Sequence, residues 1–146
     1  MTLLERLAEA KRTNNLGAMI QAIPYANLLG LEATIVESGE LVTTMKFSQH
    51  LIGNAQLPAI HGGSIGALLE SAAVFELLWR AETIVLPKTI TLTVDYLRSA
   101  GPRDVHATSV ISRRGRRIAN VRIEAWQTDR ARPITTAHAI FLVMRD

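Results

Sequence analysis

The chain has 146 residues, of which 48% are hydrophobic, 20% charged and 5% aromatic, a balance that suits one globular domain and excludes disorder. Cysteine is absent, which excludes disulfides, cysteine-ligated zinc and a cysteine nucleophile. The net charge of +3 hides an asymmetry: residues 1–97 carry 6 Lys/Arg against 9 Asp/Glu, whereas residues 98–146 carry 10, all arginine, against 4. A basic C-terminal half suits an anionic partner, such as nucleic acid or a phosphate-bearing molecule, and equally suits a solvated surface.

The opening MTLLERLAEAKR has charges at Glu5, Arg6 and Glu9, so it lacks the apolar core of a signal peptide. No segment reads as membrane-spanning, and a cytoplasmic location is expected. A single domain is expected over 1–146, with 1–24 as an N-terminal helical segment. Leu3, Leu4, Leu7, Ala8 and Ala10 give helical spacing over 2–12. A second short helix is expected over 16–23, stopped by Pro24. Residues 31–37 and 41–47 read as a hairpin turning at Ser38-Gly39-Glu40. Residues 48–60 read as loop, broken by Gly53, Asn54 and Pro58.

His61-Gly62-Gly63-Ser64 then opens a helix over 64–82 that is apolar on nearly every side and therefore expected to be buried. Only Glu76 and Arg80 give it a polar edge, at a spacing suited to a surface ion pair. Strands are expected at 88–98, 103–113, 117–128 and 133–144, joined by short turns into a four-stranded antiparallel meander. A sheet with one apolar face needs a cover, and a helix apolar all round needs a wrapper. The expected fold is therefore α+β, an antiparallel sheet rolled around one long central helix.

Glu70 is the only charge between His61 and Phe75. A carboxylate buried in an apolar helix costs several kcal/mol unless it is partnered. Burial also raises a carboxyl pKa and makes a better base near neutral pH. The competing reading is a structural pair with an arginine of the sheet. Glycines at a helix N-terminus leave backbone N–H groups open to a ligand, and those groups with the helix dipole polarise a carbonyl oxygen. The histidine precedes Glu70 by nine residues, about two and a half helical turns.

The stretches His50-Leu-Ile-Gly-Asn54, Leu57-Pro-Ala-Ile-His61-Gly62-Gly63-Ser-Ile-Gly-Ala-Leu-Leu-Glu70 and Lys88-Thr89-Ile-Thr-Leu-Thr-Val-Asp-Tyr96-Leu-Arg-Ser-Ala100, with the Arg113-Arg114-Gly115-Arg116-Arg117 turn, resemble the hotdog-fold acyl-CoA thioesterases of the phenylacetic-acid-degradation (PaaI-like) type. The resemblance covers about residues 25–144. It implies hydrolysis of an acyl-CoA thioester, with coenzyme A as part of the substrate and no separate cofactor or metal. It implies Glu70 as base or nucleophile, the Gly62 N–H as donor to the thioester carbonyl, and His61 as the residue orienting loop and substrate. Thr89 would assist the acid, and Asn54 is the nearest match to an asparagine used in some members. Gly63 and the arginines Arg113, Arg114, Arg116 and Arg117 would meet the substrate, the arginines through the phosphates of coenzyme A. The family works as dimers or dimers of dimers with sites shared between subunits, so a homo-oligomer, a homotetramer among the options, is expected.

Other classes compete. Gly62-Gly63-Ser64-Ile65-Gly66 matches a nucleophile-elbow pattern, but the chain is short for that fold and no buried strand runs into Gly62. Nucleic-acid binding has the arginines without aromatics or a motif, so no nucleic acid is expected. A hotdog protein that binds acyl-CoA without hydrolysing it, as sensor or carrier, keeps the fold and makes Glu70 structural. Hydratase chemistry on the same fold wants a histidine paired with an acid on the helix, and here the histidine precedes it.

Overall fold

The computed structural model describes residues 1–144. Helix α1 (Leu3–Arg12) starts at a capping box: the Glu5 N–H donates to Thr2 Oγ1 at 3.2 Å and the Thr2 N–H donates to Glu5 Oε2 at 2.7 Å. Helix α2 (Leu16–Gln21) starts at Asn15, whose side chain accepts from the Ala18 N–H. It ends before Pro24, which does not stop it but opens a further short helix, α3 (Pro24–Leu28). Proline suits a first helical position because its missing N–H would have had no partner there. The hairpin of β1 (Leu31–Ile35) and β2 (Leu41–Met45) forms as expected.

The stretch read as loop carries more order. A 3-10 turn at Gln49–Leu51 leads into a small hairpin of β3 (Ile52–Asn54) and β4 (Ala59–Ile60). Helix α4 runs Gly62–Arg80, so the two glycines are its first residues and do not merely precede it. Strands β5 (Lys88–Tyr96), β6 (Val105–Arg114), β7 (Ile118–Trp126) and β8 (Thr135–Leu142) complete the chain.

The six long strands form one antiparallel sheet in the order β1-β2-β6-β7-β8-β5. The four C-terminal strands are therefore not a simple meander. Only β6, β7 and β8 are; β5 lies at the far edge beside β8, and β6 pairs with β2. The reason is the link from β5 to β6. A short turn at Gly101-Pro102 between strands 88–98 and 103–113 is the sequence expectation, but β5 ends at Tyr96, β6 starts at Val105, and residues 97–104 form a longer crossing link. They cross the ends of β8 and β7, a path of three strand spacings or about 14 Å. The Leu97 and Arg98 N–H groups both donate to Ile134 O on the way.

The sheet curls round α4, which packs on β2, β5, β6, β7 and β8. Its inner face is paved with small residues, Ala107, Ala119, Ala125, Ala137 and Ala139, all buried. Small inner residues leave room for the helix, whose Phe75, Leu68, Leu69, Leu77 and Leu78 are all buried in the core. Each such large side chain contributes about 1.5–3 kcal/mol by leaving water. One row of the sheet ends at Val105, Trp126, Thr135 and Tyr96, and the other at Arg114, Ile118, Leu142 and Lys88.

Candidate active site

The first turn of α4 is tightly specified. His61 is the N-cap, with extended backbone (φ −61°, ψ 126°), and its Nδ1 accepts from the Gly63 N–H at 2.9 Å. In neutral His61 the proton is therefore on Nε2. The His61 N–H donates to Leu51 O at 2.8 Å, tying the cap to the turn before β3. Two glycines make room for the ring. A Cβ on Gly53 would lie 2.8 Å from the His61 Cα, and one on Gly63 would lie 2.9 Å from ring atoms of His61. Gly62 stands first in the helix, where no preceding turn supplies an acceptor, and among the described residues its N–H donates to none.

Tyr96 fixes this turn from the sheet side. Its hydroxyl donates to Gly62 O at 2.7 Å, and a Cβ on Gly62 would lie 3.1 Å from its ring. Tyr96 is a site residue that strand periodicity does not single out. An open cavity of ≈ 420 Å³ lies against Gly62, Ile65 and Tyr96.

Two turns along the helix, Glu70 accepts from the Thr89 hydroxyl at 3.2 Å. Simple alternation would turn Thr89 outward with Thr91 and Thr93. A bulge in β5 reverses it: Thr89 pairs with inward-facing Phe141, Thr91 with Ile140, and Ile90 is the extra residue. The expectation that Glu70 is buried is corrected. It is half-buried, on the side of the helix facing the edge strand. The more buried helix acid is Glu76, 9% exposed; the expected pair with Arg80 forms, Arg80 Nε donating to its Oε1 at 2.9 Å, with the arginine exposed and the carboxylate end largely covered. A partner is what makes such burial tolerable.

The remaining expected residues lie apart. Asn54 ends β3, with its Oδ1 accepting from the Gln56 and Leu57 N–H groups at 3.0 and 3.3 Å. The arginine turn joins β6 to β7 at the Thr89 end of the sheet. Its cations do not act as one cluster. Ser112 is extra in a second bulge, so Arg113 faces outward opposite Asn120 while Arg114 pairs with inward Ala119. Arg114 there depresses the Lys11 pKa, after burial, the larger cause. Arg113, Arg116 and Arg117 share a shallow pocket of ≈ 330 Å³.

Residues 53–142 match the family model described as acyl-CoA thioesterase N-terminal domain. A medium/long-chain acyl-CoA thioesterase, YigI, of Salmonella typhimurium is 31% identical over 134 residues, covering 83% of this chain and 86% of its own. A crystal structure from Chromobacterium violaceum is 37% identical with a TM-score of 0.79, over 97% of this chain and 98% of that one. The PaaI protein of the Escherichia coli phenylacetic acid degradation operon shares the fold, with a TM-score of 0.74 at 17% identity over 99% and 97% of the two chains. With a helix wrapped by an antiparallel sheet, the hotdog fold it shares with PaaI, and a His-Gly-Gly cap at the helix start, the chain belongs to the acyl-CoA thioesterase family.

Proposed function

We propose that the protein hydrolyses an acyl-CoA thioester to free acid and coenzyme A, with Glu70 and the Gly62 N–H acting on the same thioester. The observation that carries this is the pair of prepared groups on α4: an N–H at the helix start with no acceptor, and a carboxylate oriented by Thr89. The Gly62 N–H, backed by the helix dipole, receives the charge that develops on the carbonyl oxygen. Glu70 takes a proton from water as the water oxygen bonds to the carbonyl carbon. The carbon–sulfur bond then breaks and the thiolate leaves with that proton. Direct attack by the carboxylate, followed by hydrolysis of the anhydride, is the other route open to Glu70. His61 and Gly63 hold the loop, and Asn54, whose Oδ1 is committed to its own turn, offers only its amide N–H groups. The outward arginines of the β6–β7 turn offer charge-assisted contacts to phosphate. The name of the Salmonella relative supports a medium or long acyl chain.

Helix geometry supports a site shared between two copies. Gly62 and Glu70 are eight residues apart on α4, a rise of about 12 Å. A donor and a base must each come within about 3 Å of one thioester group. One chain does not bring them together, whereas two antiparallel copies do so twice. The outer edge of β5 is free of any strand among the described residues, which supports pairing there.

A panel of acyl-CoA thioesters followed by free-thiol release tests the reading. The wild type should release thiol from medium or long acyl-CoA. Glu70→Gln should lower kcat by about 10² or more while leaving the melting temperature unchanged. Equal turnover in that variant removes Glu70 from the chemistry. Tight acyl-CoA binding without thiol release would favour the sensor or carrier instead.

A further inference from the structure

The glycine spacing that matches a nucleophile elbow has a different use in the fold. Gly62 and Gly66 lie one turn apart on the same side of α4, and the Tyr96 side chain rests against both. A Cβ at Gly62 would crowd the Tyr96 ring at 3.1 Å, and one at Gly66 would touch its hydroxyl at 3.5 Å. Glycine weakens a helix interior, and on this face it opens the room that the phenol takes.

Tyr96 stands on a fixed base. It is the last residue of β5, paired with buried Thr135, and the next two N–H groups, of Leu97 and Arg98, both donate to Ile134 O. The residue is half-exposed, so its hydroxyl is within reach of water, yet it donates to Gly62 O at 2.7 Å. Tyr25, the other tyrosine and just as exposed, makes no side-chain hydrogen bond among the described residues.

By helix geometry the Gly62 carbonyl also receives the Gly66 N–H, so Tyr96 takes its second lone pair. The Gly63 N–H donates to His61 Nδ1 at 2.9 Å. The peptide joining Gly62 to Gly63 is thus held at its oxygen from the sheet and at its nitrogen from the cap. Rotation about the Gly62 backbone sets how its own N–H points relative to that held peptide, and successive glycines have the most such freedom to lose. A donor stabilises a developing oxyanion only while it is aimed where the charge appears, within about 0.5 Å and about 10–20°.

We propose that Tyr96 is a positioning residue for hydrolysis: its hydroxyl acts through the Gly62 carbonyl to keep the Gly62 N–H aimed at the thioester oxygen. This rests on the acyl-CoA reading above. The test uses Tyr96→Phe, which removes the hydroxyl and keeps the ring on Gly62 and Gly66. On an acyl-CoA its kcat should fall about tenfold while KM stays within about twofold of wild type. Two inert analogues of that acyl-CoA separate aim from mere structure. A trifluoromethyl ketone, whose hydrate puts a tetrahedral oxygen at the donor, should bind the variant about tenfold more weakly than wild type. A thioether, which has no carbonyl, should bind both proteins equally. The melting temperature and sedimentation of the variant should match wild type. Unchanged kcat, or equal weakening of both analogues, overturns the proposal. If the wild type hydrolyses no acyl-CoA, the hydrolytic reading fails alone and the analogues decide: selective loss of the ketone upholds the positioning role, and any other result overturns it.

Discussion

His61 illustrates how one side chain carries two separable tasks. Its Nδ1 caps the helix by accepting from the Gly63 N–H, and its ring is seated between Gly53 and Gly63. Removing an N-cap acceptor costs about 1 kcal/mol, and asparagine is among the best replacements. His61→Ala should therefore lower stability by about 1 kcal/mol in urea denaturation, and His61→Asn should recover most of that. If His61→Asn restores the stability while its rate stays low, the imidazole serves the substrate as well as the helix. If alanine costs nothing, the cap contributes nothing to the fold. The acids of α4 show what sequence isolates and what it misses. Glu70 stands out because no charge neighbours it, yet it is Glu76 that the sheet covers, since Arg80 lies one turn on to partner it.

At the level of elements, hydrophobic period located the helices and strands well. The apolar run of α4, the β1–β2 hairpin and the alternation in β7 are all local patterns. What local pattern does not encode is which strands become neighbours and where the ladder slips. The alternation of β5 would put Thr89 on the outer face; one extra residue, Ile90, turns its hydroxyl, still exposed, toward Glu70 instead. Likewise the resemblance quoted four arginines as a block, and the bulge at Ser112 sends Arg113 and Arg114 to opposite faces. Tertiary contacts also fix the joint between β2 and β6. Asp104 lies just before β6 and accepts from the Phe47 N–H at 2.7 Å, with Lys46 Nζ at 3.5 Å. That backbone bond, then the Lys46 charge, holds the Asp104 carboxyl below the usual carboxylate range. A depressed folded pKa means the ionised form favours the fold. Its contribution is fully present above the unfolded pKa, near 3.9, and is lost as pH falls through the folded value. Asp104→Asn should therefore be less stable than wild type at pH 7, by under about 1 kcal/mol because the pair is partly exposed. The two melting curves should converge as pH drops below 4. A difference that stays constant with pH would show that the charge is immaterial.

For the whole molecule, the separation of Gly62 and Glu70 along one rigid helix makes a definite demand. If two chains complete each site, two different inactive variants can restore one another. Gly62→Pro removes the N–H at a helix position that accepts proline, though its added carbons require half-exposed Tyr96 to yield by a few tenths of an ångström. Glu70→Gln removes the base. Mixed dimers of these two chains have one site with both groups intact and one with neither. Random pairing of equal amounts yields half mixed dimers, so co-expression should recover about one quarter of wild-type turnover per chain. Sedimentation should give a mass that is a multiple of the 16.0 kDa chain. A site contained in one chain predicts no recovery at all, because every chain then lacks either its donor or its base. Recovery near a quarter, with each variant silent alone, would place the donor and the base of each reacting thioester on different copies of α4.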